Sequence, residues 1–157
     1  MITTYRIAQS QYIDDLSGYG AYLYGGRWNL PGTYCLYLAS HRSLAYLEFL
    51  VHQYDRELWP TDLMIATIEI KDNTLIHELI GEELPINWQS MKYDVQVQQT
   101  TTRLFTDMTL GLKVPSVVVP GEFNYLLNPR FHGYEGAINI KDIAPANFDE
   151  RLKPQNI

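Results

Sequence analysis

The chain has 157 residues, 46% of them hydrophobic and 19% charged, with 12 tyrosines, a single cysteine and a net charge of -6. Such a length and composition exclude a disordered chain and fit one folded domain over residues 1–157, burying about two-thirds of its unfolded surface. No run of lysine or arginine breaks the acidic balance, which argues against direct nucleic-acid binding. Cys35 has no partner for a disulfide or a four-cysteine zinc site, and neither a signal-peptide layout nor a bilayer-length apolar run is present, so a cytoplasmic, membrane-free protein is expected.

In chain order, Thr3 to Ile7 reads as a strand, and Gln11 to Gly26, rich in tyrosine and glycine, as a loop with short extended pieces over a ligand site. A glycine turn then delivers Arg27, Pro31-Gly32 makes a second turn, and Tyr34 to Leu38 forms a short strand holding Cys35 in the core. Ser40 is placed to cap a helix from roughly His41 to Gln53 with Leu44, Leu47 and Val51 as its apolar stripe and Glu48 on the inward side. Beyond Pro60, Leu63 to Ile70 alternates as a strand with Met64, Ala66, Ile68 and Ile70 on one face. Residues 71–94 follow no clear pattern. Asp94 then caps a helix running to about Leu110, ended by Gly111, with Leu104, Phe105 and Met108 as its buried stripe. Pro115 and Pro120 bound a short strand at Val117 to Val119, and Asn128-Pro129 is a turn.

The spacing allows Arg27, Tyr37 and Glu48 to meet. Each also has an ordinary structural role open to it, as a surface cover, a packing ring and a salt-bridge partner. Their sequence context is more specific. Gly25-Gly26-Arg27-Trp28-Asn29, Gly32, Tyr37, Ala45, Glu48 and His52, followed later by Val114-Pro115-Ser116, Asn124, Leu126-Leu127-Asn128-Pro129 and His132, resemble the RES domain family. The resemblance runs from Arg6 to Leu152 and is weakest between about Asn73 and Gly111, where the family's glycine-aspartate pair is missing.

Arginine is the side chain best shaped to hold a pyrophosphate, and a fixed carboxylate suits cleavage of an N-glycosidic bond, where positive charge grows on a ribose. Tyr37 offers a ring for a nicotinamide and a hydroxyl to orient the carboxylate or ribose, and Ser116 a hydrogen bond to a ligand hydroxyl or carboxamide. No catalytic-triad spacing, nucleotide-binding glycine loop or metal-ligand cluster competes, and His41, His52, His77 and His132 are scattered.

The resemblance implies an α+β fold like that of ADP-ribosyltransferases, with a split, mostly antiparallel sheet and flanking helices. It implies catalytic roles for Arg27, Tyr37 and Glu48, and ligand contacts for Arg6, Gly26, Trp28, Ser116 and Asn128, with Arg6 entering the pocket of Arg27. It further implies NAD as a substrate with no resident cofactor or metal, a toxin role, and a helix-turn-helix antitoxin of the Xre kind as partner. Homo-oligomerisation stays open, as does the acceptor of the ADP-ribosyl group. A protein ADP-ribosyltransferase, docking its target on Tyr12 to Tyr24, and a non-catalytic binding module are the alternatives.

Overall fold

The computed structural model describes residues 1–53 and 55–155. In chain order it has β1 (Ile2–Gln9), α1 (Tyr19–Tyr24), β2 (Leu36–Ala39), α2 (Arg42–His52), β3 (Leu63–Ile70) and β4 (Ile76–Glu78). Then come α3 (Val95–Leu104), β5 (Gly111–Pro115), β6 (Phe123–Leu127), α4 (Tyr134–Ala137) and β7 (Ile138–Pro145). The strands form one open sheet in the order β4-β5-β6-β2-β1-β3-β7, parallel only between β4 and β5. The expected α+β class and mostly antiparallel sheet are found. The expected split corresponds to the β1–β2 junction, where only Tyr5 and Ala39 are in register, whereas β1 pairs with β3 along its whole length.

Register assigns side chains to faces, because directly opposed residues point the same way and successive ones alternate. The pairs Tyr5–Ala39, Ala39–Asn124 and Tyr37–Leu126 put Tyr5, Tyr37, Ala39, Asn124 and Leu126 on one face. Arg6, Leu36, Leu38, Tyr125 and Leu127 fall on the other. Two apolar clusters cover the first face. One packs α2 through Leu44 and Ala45 against Ala39 and Ile65; the other sets Trp28 and Val97 on Leu112, Val114 and Leu126. In the first of these clusters, the Phe148 ring centre lies 4.6 Å from that of Tyr46 and 5.2 Å from that of Phe49, adding aromatic packing to the helix. The opposite face is closed by Ile13, Tyr134 and Ile138.

Several local expectations are revised. The segment Gln11 to Gly26 is not only loop, since Tyr19–Tyr24 is helical. Ser40 does not cap α2: His41 occupies the capping position without a side-chain bond to the helix, and the Ser40 hydroxyl meets His41 Nδ1 instead. Leu47 and Val51 are exposed at 39% and 40%. The small Ala45, not Leu47, adjoins Leu44 at the sheet contact, which turns the buried side of α2 toward residues 44, 45, 48 and 49.

α3 stops at Leu104, with Val97, Thr100 and Thr101 on its buried side, and Met108 is exposed. The Asp94 cap is present through its bond from the Gln96 amide. Gly111 opens β5 rather than ending a helix. A Cβ there would stand 2.6 Å from the Leu126 carbonyl oxygen, so only glycine allows this approach of β5 to β6. Val117 to Val119 is not a strand: the Ser116 hydroxyl takes the amides of Val118 and Val119, removing two of the three donors a ladder would need.

Candidate active site

Glu48 follows the buried Leu44 and Ala45 by four and three residues, so it leaves α2 on the same side and faces the sheet. Its Oε1 accepts two hydrogen bonds, from Asn124 Nδ2 at 2.6 Å and from the Ser116 hydroxyl at 3.0 Å. Asn124 comes from β6 and Ser116 from the end of β5, so one carboxylate oxygen ties α2 to two strands. Among the described residues Oε2 receives no hydrogen bond. The buried Ser116 hydroxyl also accepts the Val118 and Val119 amides, both at 3.1 Å, and is thereby directed to Glu48 instead of the expected ligand hydroxyl.

Tyr37 lies on the same face, diagonally across the β2–β6 ladder from Asn124, a spacing of about 7–8 Å between such positions. Its hydroxyl donates to Asn29 Oδ1 at 2.7 Å and accepts the Trp28 amide at 3.1 Å. Burial, reinforced by the neighbouring Cys35, holds the phenol well above its ordinary titration range, so it stays protonated at neutral pH. The hydroxyl expected to orient a carboxylate or ribose is therefore committed to the turn, leaving the ring.

That turn is pinned on several sides. Asn29 is wholly buried, and its Nδ2 donates to the carbonyls of Ala21, Leu30 and Thr33. From α3, Gln98 Nε2 reaches the Gly26 carbonyl at 3.0 Å and the Thr101 hydroxyl reaches that of Trp28 at 2.8 Å. Trp28 is buried and stacks on Trp88 with centroids 6.3 Å apart, which makes it a packing anchor here. Gly26 contributes its absent side chain, giving room to the Tyr37 hydroxyl.

Arg27 leaves the turn toward residues 88–93. Its Nη1 donates to the carbonyls of Trp88 at 3.0 Å and Ser90 at 2.5 Å, and the guanidinium lies 5.3 Å from the Tyr93 ring centre. Among the described residues Nε and Nη2 make no hydrogen bond, so half of the planar fork is still available to an anion.

Two of the expected ligand contacts are not brought to this place. Arg6 lies on the opposite face of the sheet, where its Nη1 donates to the carbonyls of Tyr12, Ile13 and Asp15 at 2.9, 2.9 and 3.0 Å. Strand parity is the reason: Tyr5 shares the face of Ala39, so Arg6 cannot. Burial lowers its pKa, with Asp15 opposing that shift. Asn128 stands four residues beyond Asn124, about 13 Å along the strand direction. It holds the 106–109 turn through the Thr106 and Thr109 carbonyls and caps the Arg130 amide.

Two open concavities, of about 530 and 350 Å³, take in none of Arg27, Tyr37 and Glu48. Among the described residues no cluster of three or more His, Cys, Asp or Glu is placed to hold a metal ion, and no helix is long and apolar enough to cross a membrane. Asn29, Asn124, Gln98 and the 88–93 segment join the site without having been singled out for it. A signal existed for Asn124: it alternates with Leu126, so a polar side chain points where a core residue points.

A family model described as the RES domain matches residues 3–149. The chain is 39% identical to the protein named Toxin Res of Yersinia enterocolitica over 95% of its own length and 98% of that relative. It is 34% identical to the Prs ADP-ribosylating toxin of a Sphingobium species, over 92% and 91% of the two chains. Among solved structures, a chain of the M. tuberculosis MbcT-MbcA toxin-antitoxin complex superposes with a TM-score of 0.66 at 20% identity, covering 92% of this chain and 84% of that one.

Proposed function

This chain belongs to the RES domain family, and from that premise we propose that it is the toxin of a bacterial toxin-antitoxin pair and cleaves NAD at the nicotinamide–ribose bond. The observation that carries this reading is the half-buried Glu48, held through one oxygen only, on the face that Tyr37 and the Arg27 turn share. The names of its relatives, Toxin Res and Prs ADP-ribosylating toxin, support the same class.

In this mechanism the free Nε and Nη2 of Arg27 take a phosphate oxygen of the pyrophosphate, and the Tyr37 ring lies against the nicotinamide. The C1′–N1 bond then breaks, its electron pair leaving with neutral nicotinamide, while Glu48 Oε2 stabilises the cationic ribose. An oxygen of water or phosphate closes the bond at C1′. With water as nucleophile, its proton passes to solvent. The Tyr37 phenol is not the base, since it is protonated and already donates to Asn29.

A second reading, ADP-ribosyl transfer to a host protein, has its own support. α1 presents Tyr19, Leu23 and Tyr24 with exposures of 50%, 44% and 83%, an apolar surface on which a target can dock, and one relative is named an ADP-ribosylating toxin. In either reading the protein acts in the cytoplasm and is restrained by an Xre-like antitoxin. The deciding experiment incubates the purified chain with NAD, with and without phosphate and host proteins, and identifies products by mass spectrometry. Free nicotinamide with ADP-ribose or its phosphate supports NAD cleavage; a modified protein supports transfer; intact NAD in all arms overturns both.

A further inference from the structure

We infer that Asn124 and Ser116 are positioning residues that commit Glu48 Oε1 to the protein and reserve Oε2 for the reacting ribose, an inference that rests on the NAD-cleaving reading. A serine hydroxyl has one proton and two lone pairs. At Ser116 the amides of Val118 and Val119 occupy the acceptor side, so its proton has Glu48 Oε1 as its partner. An asparagine Nδ2 can only donate, and that of Asn124 points at the same oxygen from 2.6 Å. Two obligate donors converge on Oε1, which leaves no room for a proton there. Any proton or cationic centre must come to Oε2.

The anchoring is rigid because each donor is itself fixed. Asn124 sits in a ladder, opposite Ala39 on one side and Val114 on the other. Ser116 is buried, and its own amide donates to the Glu122 carbonyl at 2.8 Å. A carboxylate free to rotate would present either oxygen and spread its charge over several positions. One locked by two strands presents a single oxygen in a set direction, which is what stabilisation of a short-lived cation requires.

The test uses the purified full chain and two independent readouts. In steady-state kinetics with NAD, Asn124→Ala and Ser116→Ala are expected to lower kcat by about 10- to 100-fold while KM moves less than about threefold. Asn124→Asp keeps the shape but replaces the donor by an acceptor, and is expected to lose at least as much. A rise in KM with kcat unchanged would make these residues substrate ligands, and wild-type kcat in Asn124→Asp would reduce Asn124 to packing; either result overturns the inference.

The second readout needs no turnover. In NMR spectra the Asn124 side-chain amide proton is expected well downfield, as in a charge-assisted hydrogen bond, and to move upfield in Glu48→Ala. If the wild type does not consume NAD, the functional reading falls and this signal alone decides the anchoring. An Asn124 amide indifferent to Glu48→Ala overturns it.

Discussion

The Tyr37 hydroxyl occupies the space that any side chain on Gly26 would need: a Cβ there would stand 2.6 Å from Oη and 2.9 Å from Cζ. The same hydroxyl fastens Asn29 and the Trp28 amide, so this approach sets the shape of the turn that carries Arg27. Gly26→Ala must push Tyr37 or the turn aside. We expect a stability loss of about 1–3 kcal/mol, as for overpacking in a tight site, and loss of NAD turnover in the remaining folded protein. Urea midpoints and activity per folded molecule check this, and wild-type values in both would mean that the turn yields freely.

Glu48→Gln retains an oxygen to accept from Asn124 and Ser116 but removes the charge. The fold and much of the NAD affinity are expected to persist while kcat falls by about two to four orders of magnitude, because the charge acts chiefly in the transition state. A variant that melts early yet keeps its activity per folded molecule would make Glu48 a structural partner only.

What could be read without the fold was local. Leu63 to Ile70 alternates, Asp94 precedes a helix, and the 27, 37, 48 spacing crosses a turn, a strand and a helix in succession. β6 escaped because both of its faces are covered: Asn124 and Leu126 face one way and Tyr125 and Leu127 the other, which erases the polar-apolar rhythm. The side taken by Arg6 escaped for a different reason. It depends on the pairing of Tyr5 with Ala39, and a one-residue slip in that non-local register would have turned Arg6 to the other face. Likewise, the capture of the Tyr37 hydroxyl by Asn29 depends on a turn closing back over β2, which residue spacing does not encode.

The two arginines should therefore separate. Arg27→Ala is expected to weaken ADP-ribose binding by about 10- to 100-fold, with Arg27→Lys giving incomplete rescue because an ammonium lacks the planar fork. Arg6→Ala should leave the affinity of folded protein unchanged and lower stability by about 1.5–3 kcal/mol, since three carbonyls of the 12–15 segment lose a charged donor. Calorimetry with ADP-ribose beside urea unfolding distinguishes the two. Equal binding defects in both alanine variants would mean that the ligand also reaches the Arg6 face.

Alkaline stability provides a prediction independent of catalysis. Burial raises the titration of Cys35, Tyr37 and Tyr134 above their ordinary values, near 9.0 for the thiol and 10.0 for the phenols. In the folded chain these groups keep their protons where the unfolded chain releases them. A raised folded pKa contributes stability that is whole below the unfolded value and is lost as pH climbs above it. Cys35 is the first of the three to act, from about pH 9, with a slope of at most about 1.4 kcal/mol per pH unit for one group. Cys35→Ala will lower the whole curve by removing a buried sulfur, but it should also flatten the decline between pH 9 and 10. The change in slope, not the level, is the diagnostic. Urea midpoints at half-unit steps from pH 8 to 10.5 measure it, and a Cys35→Ala curve parallel to that of the wild type would show that the thiol is not what loses stability first.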